Sequence, residues 1–331
     1  MIFLRKLLFP FSLLYGGITA LRNLLYNKGW LKSKEYDFPV ICVGNLSTGG
    51  TGKSPMIEFL VSFLKTNHKI AVLSRGYKRK TTGYREVLEK STVEEVGDEP
   101  LQFKKKYPGI TVAVCEDRQT GIEKLENLAN VILLDDAFQH RKVKASLNIL
   151  LTSFDKLYTN DYMLPAGNLR EPKFGAKRAD IIVVTKCPES IENSEMDAIK
   201  ISLKPKAYQE IYFSKIGYST EIFNAAQTKP LHYLNDKEFL LVTGIANPKP
   251  LVLFLKSKGL KFEEKSFPDH HSFTISEIEH LKNNKLILTT EKDFMRLQSI
   301  ASTVEIYYLP IKTVILNGSA ANFENRIKRE V

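Results

Sequence analysis

The chain has 331 residues, 43% hydrophobic and 26% charged, which excludes a disordered or fibrous protein and leaves room for two domains with cores of their own. A formal net charge of +11 favours an anionic partner, be it nucleic acid, a membrane leaflet or a phosphorylated substrate. Three widely spaced cysteines, Cys42, Cys115 and Cys187, without a CxxC pair or Cys/His cluster, exclude a disulfide framework or cysteine-built metal centre and fit a reducing, cytosolic compartment.

Residues 7–21 (LLFPFSLLYGGITAL) carry no charge and lie between Arg5-Lys6 and Arg22. Fifteen residues fall short of the ~20 needed to span a bilayer as a helix, and Pro10 and Gly16-Gly17 weaken the run further. Leu7, Phe11, Leu14, Ile18, Leu21 and Leu25 recur at spacings of three and four, one face of a helix. Arg5, Lys6, Arg22 and Lys28 suit the headgroup level, so the pattern fits an amphipathic helix over 1–30 lying on a membrane. Two other readings share the pattern: a secretory leader, and a helix packed on the core. A nucleotide loop some twenty residues downstream argues against export.

From residue 39 onward, apolar runs alternate with helical patterns. Strands are predicted over 39–44, 69–73, 110–114, 130–134, 147–151 and 180–185, and helices over 55–65 and 119–128. Continuous apolar strands separated by helices imply an α/β fold with a mostly parallel sheet covered on both faces, its ligands at the carboxyl ends of the strands. The pattern changes over 206–236, where 208–214 (YQEIYFS) alternates like a strand of a linking ribbon. A second α/β pattern follows: strand 238–243, helix 247–258, strand 260–267, helix 275–282, strand 285–289, helix 291–297 and strand 304–309.

Residues 47–54 read Ser47-Thr48-Gly49-Gly50-Thr51-Gly52-Lys53-Ser54 between the first strand and its helix. The generic phosphate loop has Gly where Ser47 stands; the rest fits. Glycines let backbone N–H groups turn toward phosphate oxygens, and the helix directs its positive end at the same anion. Lys53 is placed for the β/γ-phosphates and Ser54 for Mg²⁺. Residues 131–136 (VILLDD) form an apolar strand ending in acids, so Asp135 is a Mg²⁺ ligand, directly or through water, and Asp136 a neighbouring one or an orienting group. TKCP at 185–188 has Pro188 where a guanine reader needs Asp, which leaves ATP as the nucleotide. The organisation predicted is a membrane-surface helix (1–30), a P-loop kinase domain (31–225) and a smaller α/β domain (226–331), the boundary lying within about ten residues of 225.

These motifs converge. VGNLSTGGTGKSP (43–55), SRGYKR (74–79), VGDEP (96–100), DDAFQH (135–140), LPAGNLREP (164–172), PDHHSF (268–273) and TEKD (290–293) occur in the order found in one family. The sequence resembles the tetraacyldisaccharide 4′-kinases, the lipid A 4′-kinases of Gram-negative bacteria, over essentially its whole length. That family usually has Gly at 137, where this chain has Ala, which requires a negative φ; both preceding acids are kept. The resemblance implies transfer of the γ-phosphate of ATP to the 4′-hydroxyl of a tetraacylated glucosamine disaccharide 1-phosphate, giving lipid IVA. It also implies peripheral attachment to the cytoplasmic face of the inner membrane through the N-terminal helix. The partners expected are thus an anionic glycolipid and a membrane surface, with no nucleic acid and no obligate protein partner.

A sugar hydroxyl gives up its proton as it attacks phosphorus, and a nearby carboxylate can accept it. Asp98 is the candidate base, which the resemblance also indicates; Glu99 is the alternative, and a helix N-cap is the ordinary role for Asp98. The resemblance pairs Asp98 with His270 of the second domain, with His271 as the alternative partner. Arg170 suits a phosphate and Glu171 sugar hydroxyls, while Asn45, Arg75 and Arg118 are further substrate candidates, Arg118 for charge on the transferred phosphoryl group. Two other classes fit less well. A switch ATPase of the partitioning kind carries Lys where Thr48 stands, and a nucleic-acid binder would show basic stretches interleaved with aromatics.

Overall fold

The computed structural model describes residues 5, 7–224, 226–269, 271, 273–297 and 303–331. The chain opens with helix α1 (Phe9–Asn27), then β1 (Val40–Asn45), α2 (Lys53–Leu64), β2 (Ile70–Ser74), β3 (Arg85–Glu86), α3 (Val93–Val96), α4 (Asp98–Lys106), β4 (Thr111–Val114), α5 (Arg118–Leu125) and β5 (Val131–Asp135). There follow β6 (Leu147–Ser153), β7 (Ile181–Thr185), α6 (Asn193–Leu203) and β8 (Glu210–Tyr218). The sheet order is β15-β8-β7-β6-β1-β5-β2-β4-β3, where β15 (Ile311–Ile315) comes from the end of the chain. All pairings from β8 to β4 are parallel; the two edge pairings are antiparallel.

The parallel strands are apolar on both faces because both faces are covered. Cys42, Leu73, Ile132 and Leu150 pack on one side, and Ile41, Val43, Val72 and Leu133 on the other, with α2. Cys42, Cys115 and Cys187 are buried free thiols, acting as core filler.

Six strands form a smaller sheet in the order β10-β9-β14-β13-β11-β12: β9 (Glu221–Phe223), β10 (Thr228–Pro230), β11 (Phe239–Thr243), β12 (Phe262–Ser266), β13 (Leu286–Thr290) and β14 (Glu305–Leu309). Helices α7 (Lys249–Ser257), α8 (Ile275–Lys282) and α9 (Glu291–Leu297) accompany it, and α10 (Ala320–Lys328) ends the chain.

The expected block 226–331 requires correction. The chain leaves the large sheet through β8 and comes back through β15, which pairs antiparallel with β8 from Ile311↔Tyr218 to Ile315↔Ser214. Phe323 and Ile327 of α10 then bury themselves in the large sheet's core. An alternating I-K-T-V-I run announces a strand but not which sheet receives it. The expected boundary residue, 225, lies outside the described residues.

Two buried ionic contacts tie the units together. Lys106 on α4 bridges Glu58 on α2 at 2.6 Å and Glu291 at the start of α9 at 2.9 Å, while Arg296 of α9 pairs with Asp98. Breaking such a pair on one side costs about 3–5 kcal/mol, so the junction is firmly held.

Helix α1 is reversed relative to a helix packed on a core. Its inward face is polar: Asn23 donates to Glu171 at 2.8 Å, the Tyr15 hydroxyl to the Arg170 carbonyl at 3.0 Å, and Ser12 accepts from the Ala166 N–H at 2.9 Å. Its outward face is apolar, with Leu7, Phe11, Leu13, Leu14, Ile18 and Leu21 each 57–68% exposed. Packing on a core therefore does not account for the apolar stripe. No helix among the described residues is long and apolar enough to cross a membrane. Arg5 and Arg22 differ from expectation: they donate to carbonyls of the 165–168 loop and to that of Gln139. Lys28 is exposed, and Lys6 lies outside the described residues.

Candidate active site

The phosphate loop leaves β1 at Asn45 and turns into α2 at Gly52, whose φ of +85° is a left-handed conformation that suits glycine. Its outer limb is pinned by the Thr48 N–H donating to the Asn168 carbonyl at 2.8 Å. Its inner limb is held by Asn45 donating to the Thr51 hydroxyl at 2.6 Å and by Thr185 donating to the Thr51 carbonyl at 2.8 Å. Lys186 donates to the Gly50 carbonyl. The Gly50 and Thr51 carbonyls are engaged by Lys186 and Thr185, and the Thr48 and Thr51 N–H groups are bonded within the protein, so the remaining loop N–H groups are those left for a phosphate.

The acidic end of β5 stands opposite. The β5 loop fits closely over β1: a Cβ on Gly44 would meet the Phe138 Cβ at 2.6 Å, so glycine is required there. The left-handed residue of this turn is Asp136 (φ +49°), whereas Ala137 is buried in the core with a negative φ. The family's Gly at 137 is thus replaced without strain.

Lys53 lies 3.8 Å from Asp136, and Arg170 clasps the same carboxylate with two hydrogen bonds of 2.7 and 3.1 Å. Burial alone would raise the Asp136 pKa, but Lys53 and Arg170 outweigh it and hold the group below its ordinary value. Asp135 behaves oppositely: burial, then Glu99 and Asp136, push its carboxyl well up. Its Oδ2 accepts from Ser74 at 3.1 Å, while its Oδ1 is buried without a hydrogen-bond partner. Glu99 in turn accepts from the Ser54 hydroxyl at 2.9 Å.

A buried carboxylate oxygen without a donor, crowded by two more carboxylates beside a hydroxyl, is the donor set of a hard divalent cation. Among the described residues no three His, Cys, Asp or Glu side chains gather tightly enough to hold a metal alone. A divalent ion held here would share its coordination with water and nucleotide phosphates. Glu99, weighed by sequence only as a base, thus joins this cluster through its bond to Ser54.

Asp98 begins α4 and is 5% exposed. Its Oδ1 accepts from the Glu99 N–H at 3.1 Å, and its Oδ2 from Arg296. His270 lies outside the described residues. His271 is committed elsewhere: its Nε2 is 2.9 Å from Glu277, within the capping box of α8, and its ring stacks on Phe267.

Several expected substrate contacts are supports instead. Asn45 is buried, holds Thr51 and accepts from Arg170. Glu171, 3% exposed, accepts from Asn23, Gln139 and Arg178 at 2.8 Å each, so its oxygens are engaged within the protein. Arg118 is buried beneath the β5 turn and donates to the carbonyls of Cys115 and Asp135. Burial turns these groups toward partners within the protein, although the Arg118 Nε is buried without one. Arg75 remains exposed near Arg118 and His140. Burial, with Arg118 and Arg75 next, lowers the His140 pKa to about 4. Gln139, inside the DDAFQH stretch, and Arg178, six residues past LPAGNLREP, were not among the expected site residues.

A family model described as tetraacyldisaccharide-1-P 4′-kinase matches residues 4–331. A Flavobacterium johnsoniae protein named tetraacyldisaccharide 4′-kinase is 48% identical over 320 residues, 95% of this chain and 94% of its own. A Bacteroides thetaiotaomicron protein of the same name is 42% identical, covering 98% and 92%. The crystal structure of LpxK from Aquifex aeolicus in complex with ATP superposes with a TM-score of 0.80 at 35% identity, covering 99% of each chain.

Proposed function

The chain belongs to the tetraacyldisaccharide-1-P 4′-kinase family, and on that premise we propose the reaction and the roles of its residues. It is an ATP-dependent kinase of lipid A biosynthesis that transfers the γ-phosphoryl group to the 4′-hydroxyl of a tetraacylated glucosamine disaccharide 1-phosphate, giving lipid IVA. The observation that carries the site assignment is the phosphate loop facing Asp135, whose Oδ1 is buried without a hydrogen-bond partner.

The loop N–H groups and Lys53 bind the triphosphate. Asp135 and Ser54 would hold Mg²⁺, with Glu99 and Asp136 beside them. When bound, that ion neutralises charge on the phosphates. Arg170 holds Asp136 and keeps it ionised. As the 4′-oxygen bonds to the γ-phosphorus and the bond to ADP breaks, the hydroxyl proton passes to Asp98, with His270 as its supporting partner. Arg75 is the exposed cation available to an anionic substrate.

The substrate is a lipid, and α1 turns its apolar face outward with the loop 164–171 beneath its polar face. In this reading α1 lies on the cytoplasmic face of the inner membrane and attaches the protein peripherally; its outward apolar face supports surface attachment. The test is incubation with γ-labelled ATP, Mg²⁺ and the disaccharide 1-phosphate in mixed micelles. Label in the lipid, absent with Lys53→Ala, is expected. Label released only as inorganic phosphate would contradict the kinase reading.

A further inference from the structure

Asp98 stands at the junction of the two units, and what meets it there comes from the smaller one. Arg296 on α9 donates to Asp98 Oδ2 through one nitrogen and to Asp293 Oδ1 at 3.2 Å through another. Asp293, fully buried, accepts at Oδ2 from the Gly244 N–H at 2.7 Å and the Thr290 hydroxyl at 2.7 Å. A Cβ on Gly244 would come within 2.8 Å of Asp293 Oδ1, so the fit is close. A chain of bonds thus runs from the ends of β11 and β13, through Asp293 and Arg296, to Asp98.

We infer that Arg296, anchored by Asp293, is a further positioning residue for Asp98 in phosphoryl transfer, beside His270. This rests on the reading of Asp98 as the proton acceptor. The planar guanidinium presents its N–H groups in a rigid fork, so it fixes the angle between two carboxylates more tightly than a rotating ammonium does. Its second carboxylate also has an electrostatic use. When Asp98 takes up the hydroxyl proton and becomes neutral, Arg296 keeps a buried counter-charge in Asp293, so the cation is not stranded. The proton acceptor lies in one unit and its support in the other, so a competent acceptor requires the junction to be formed. Among the described residues, Arg296 of α9 pairs with Asp98, Asp293 pairs with the same guanidinium, and Glu99 gives Asp98 its backbone N–H.

The test is turnover of the full chain on ATP and the disaccharide 1-phosphate across the pH range, for Arg296→Gln, Arg296→Lys, Asp293→Asn and Asp98→Asn. Arg296→Gln is expected to lower kcat roughly 10- to 100-fold, part of the ~10²–10⁴ attributable to a general base. KM for ATP should stay within about twofold, because Asp98 and Asp293, which Arg296 holds, are not part of the phosphate loop. Arg296→Lys should recover part of kcat, and the Asp98→Asn/Arg296→Gln double variant should be no slower than Asp98→Asn. Wild-type kcat in Arg296→Gln overturns the proposal, as does a fall in kcat with no rescue by Lys or a further loss in the double variant. If Arg296→Gln does not fold, a lowered kcat at unchanged KM for ATP in Asp293→Asn supports the assignment, and wild-type kcat in both Arg296→Lys and Asp293→Asn overturns it. Asp98→Asn tests the premise separately: wild-type turnover there refutes the base assignment, whereas a slow Asp98→Asn beside an unaffected Arg296→Gln refutes only the positioning.

Discussion

The side-chain amide of Asn23 donates to the carboxylate of Glu171 at 2.8 Å, joining the inward face of α1 to the loop that follows Arg170. Glu171 also accepts from Gln139, so the outward-facing apolar helix and the acidic turn of the active site share one hydrogen-bonded network. The helix with the exposed apolar face and the acidic turn beside the phosphate loop are thereby held in register.

That geometry yields a test of membrane attachment. Leu14, Ile18 and Leu21 are exposed and make none of these polar contacts. Replacing all three with Ser should weaken partition onto anionic vesicles on the order of 10²- to 10³-fold, at about 1–1.5 kcal/mol for each apolar side chain. Activity on a micelle-dispersed substrate should fall much less. Deleting 1–27 should abolish cosedimentation too, but also disturb Glu171. Full sedimentation of the triple variant would place the anchor elsewhere.

Lys53→Ala should abolish phosphoryl transfer, by at least about 10²-fold, without changing the melting temperature by more than a degree or two. Lys53 meets Asp136 at a partly exposed position and fills no core space. Wild-type turnover with unchanged ATP affinity would refute its role.

Asp135 makes a prediction with a definite sign. Its carboxyl is raised by burial and by Glu99 and Asp136. Between the ordinary carboxylate value and that raised value the folded chain binds more protons than the unfolded one. Stability without metal therefore falls as pH rises through the window. At about pH 8, Asp135→Asn should raise the melting temperature of the metal-free protein by a few degrees. Mg²⁺ with nucleotide should stabilise the original protein and not this variant, which should be inactive. Calorimetry showing Asp135→Asn less stable without metal would contradict the assignment.

Asp98→Ala should cost on the order of 10²–10⁴ in turnover and His270→Ala less, with the double variant about as slow as Asp98→Ala. ATP binding should survive in all three. Fully multiplicative losses would show independent roles. A larger loss from His271→Ala than from His270→Ala would be unexpected, because His271 already serves Glu277.

Much of this was legible in the sequence because the signals are local. Apolar runs over 131–134 and 181–184 cannot be covered unless they are central strands, and the glycines of 49–52 have few other uses beside Lys53 and Ser54. Long-range pairings were not legible. Nothing in Ile311–Ile315 states that its partner is β8. Glu171 and Arg118 have residue types suited to sugar and phosphate, but burial assigns them to the protein's own groups. Arg296 did carry a signal, since it lies three residues after Asp293 on one helical face, but its contact with Asp98 is 198 positions away in sequence.

The most direct test is the position of the transferred phosphate. Product made from ATP, Mg²⁺ and the disaccharide 1-phosphate can be examined by two-dimensional ¹H–³¹P NMR. A second phosphorus resonance correlated with the proton on the 4′ carbon is the expected result. A phosphate at any other hydroxyl, or ATP hydrolysed with the lipid unchanged, would contradict the assignment.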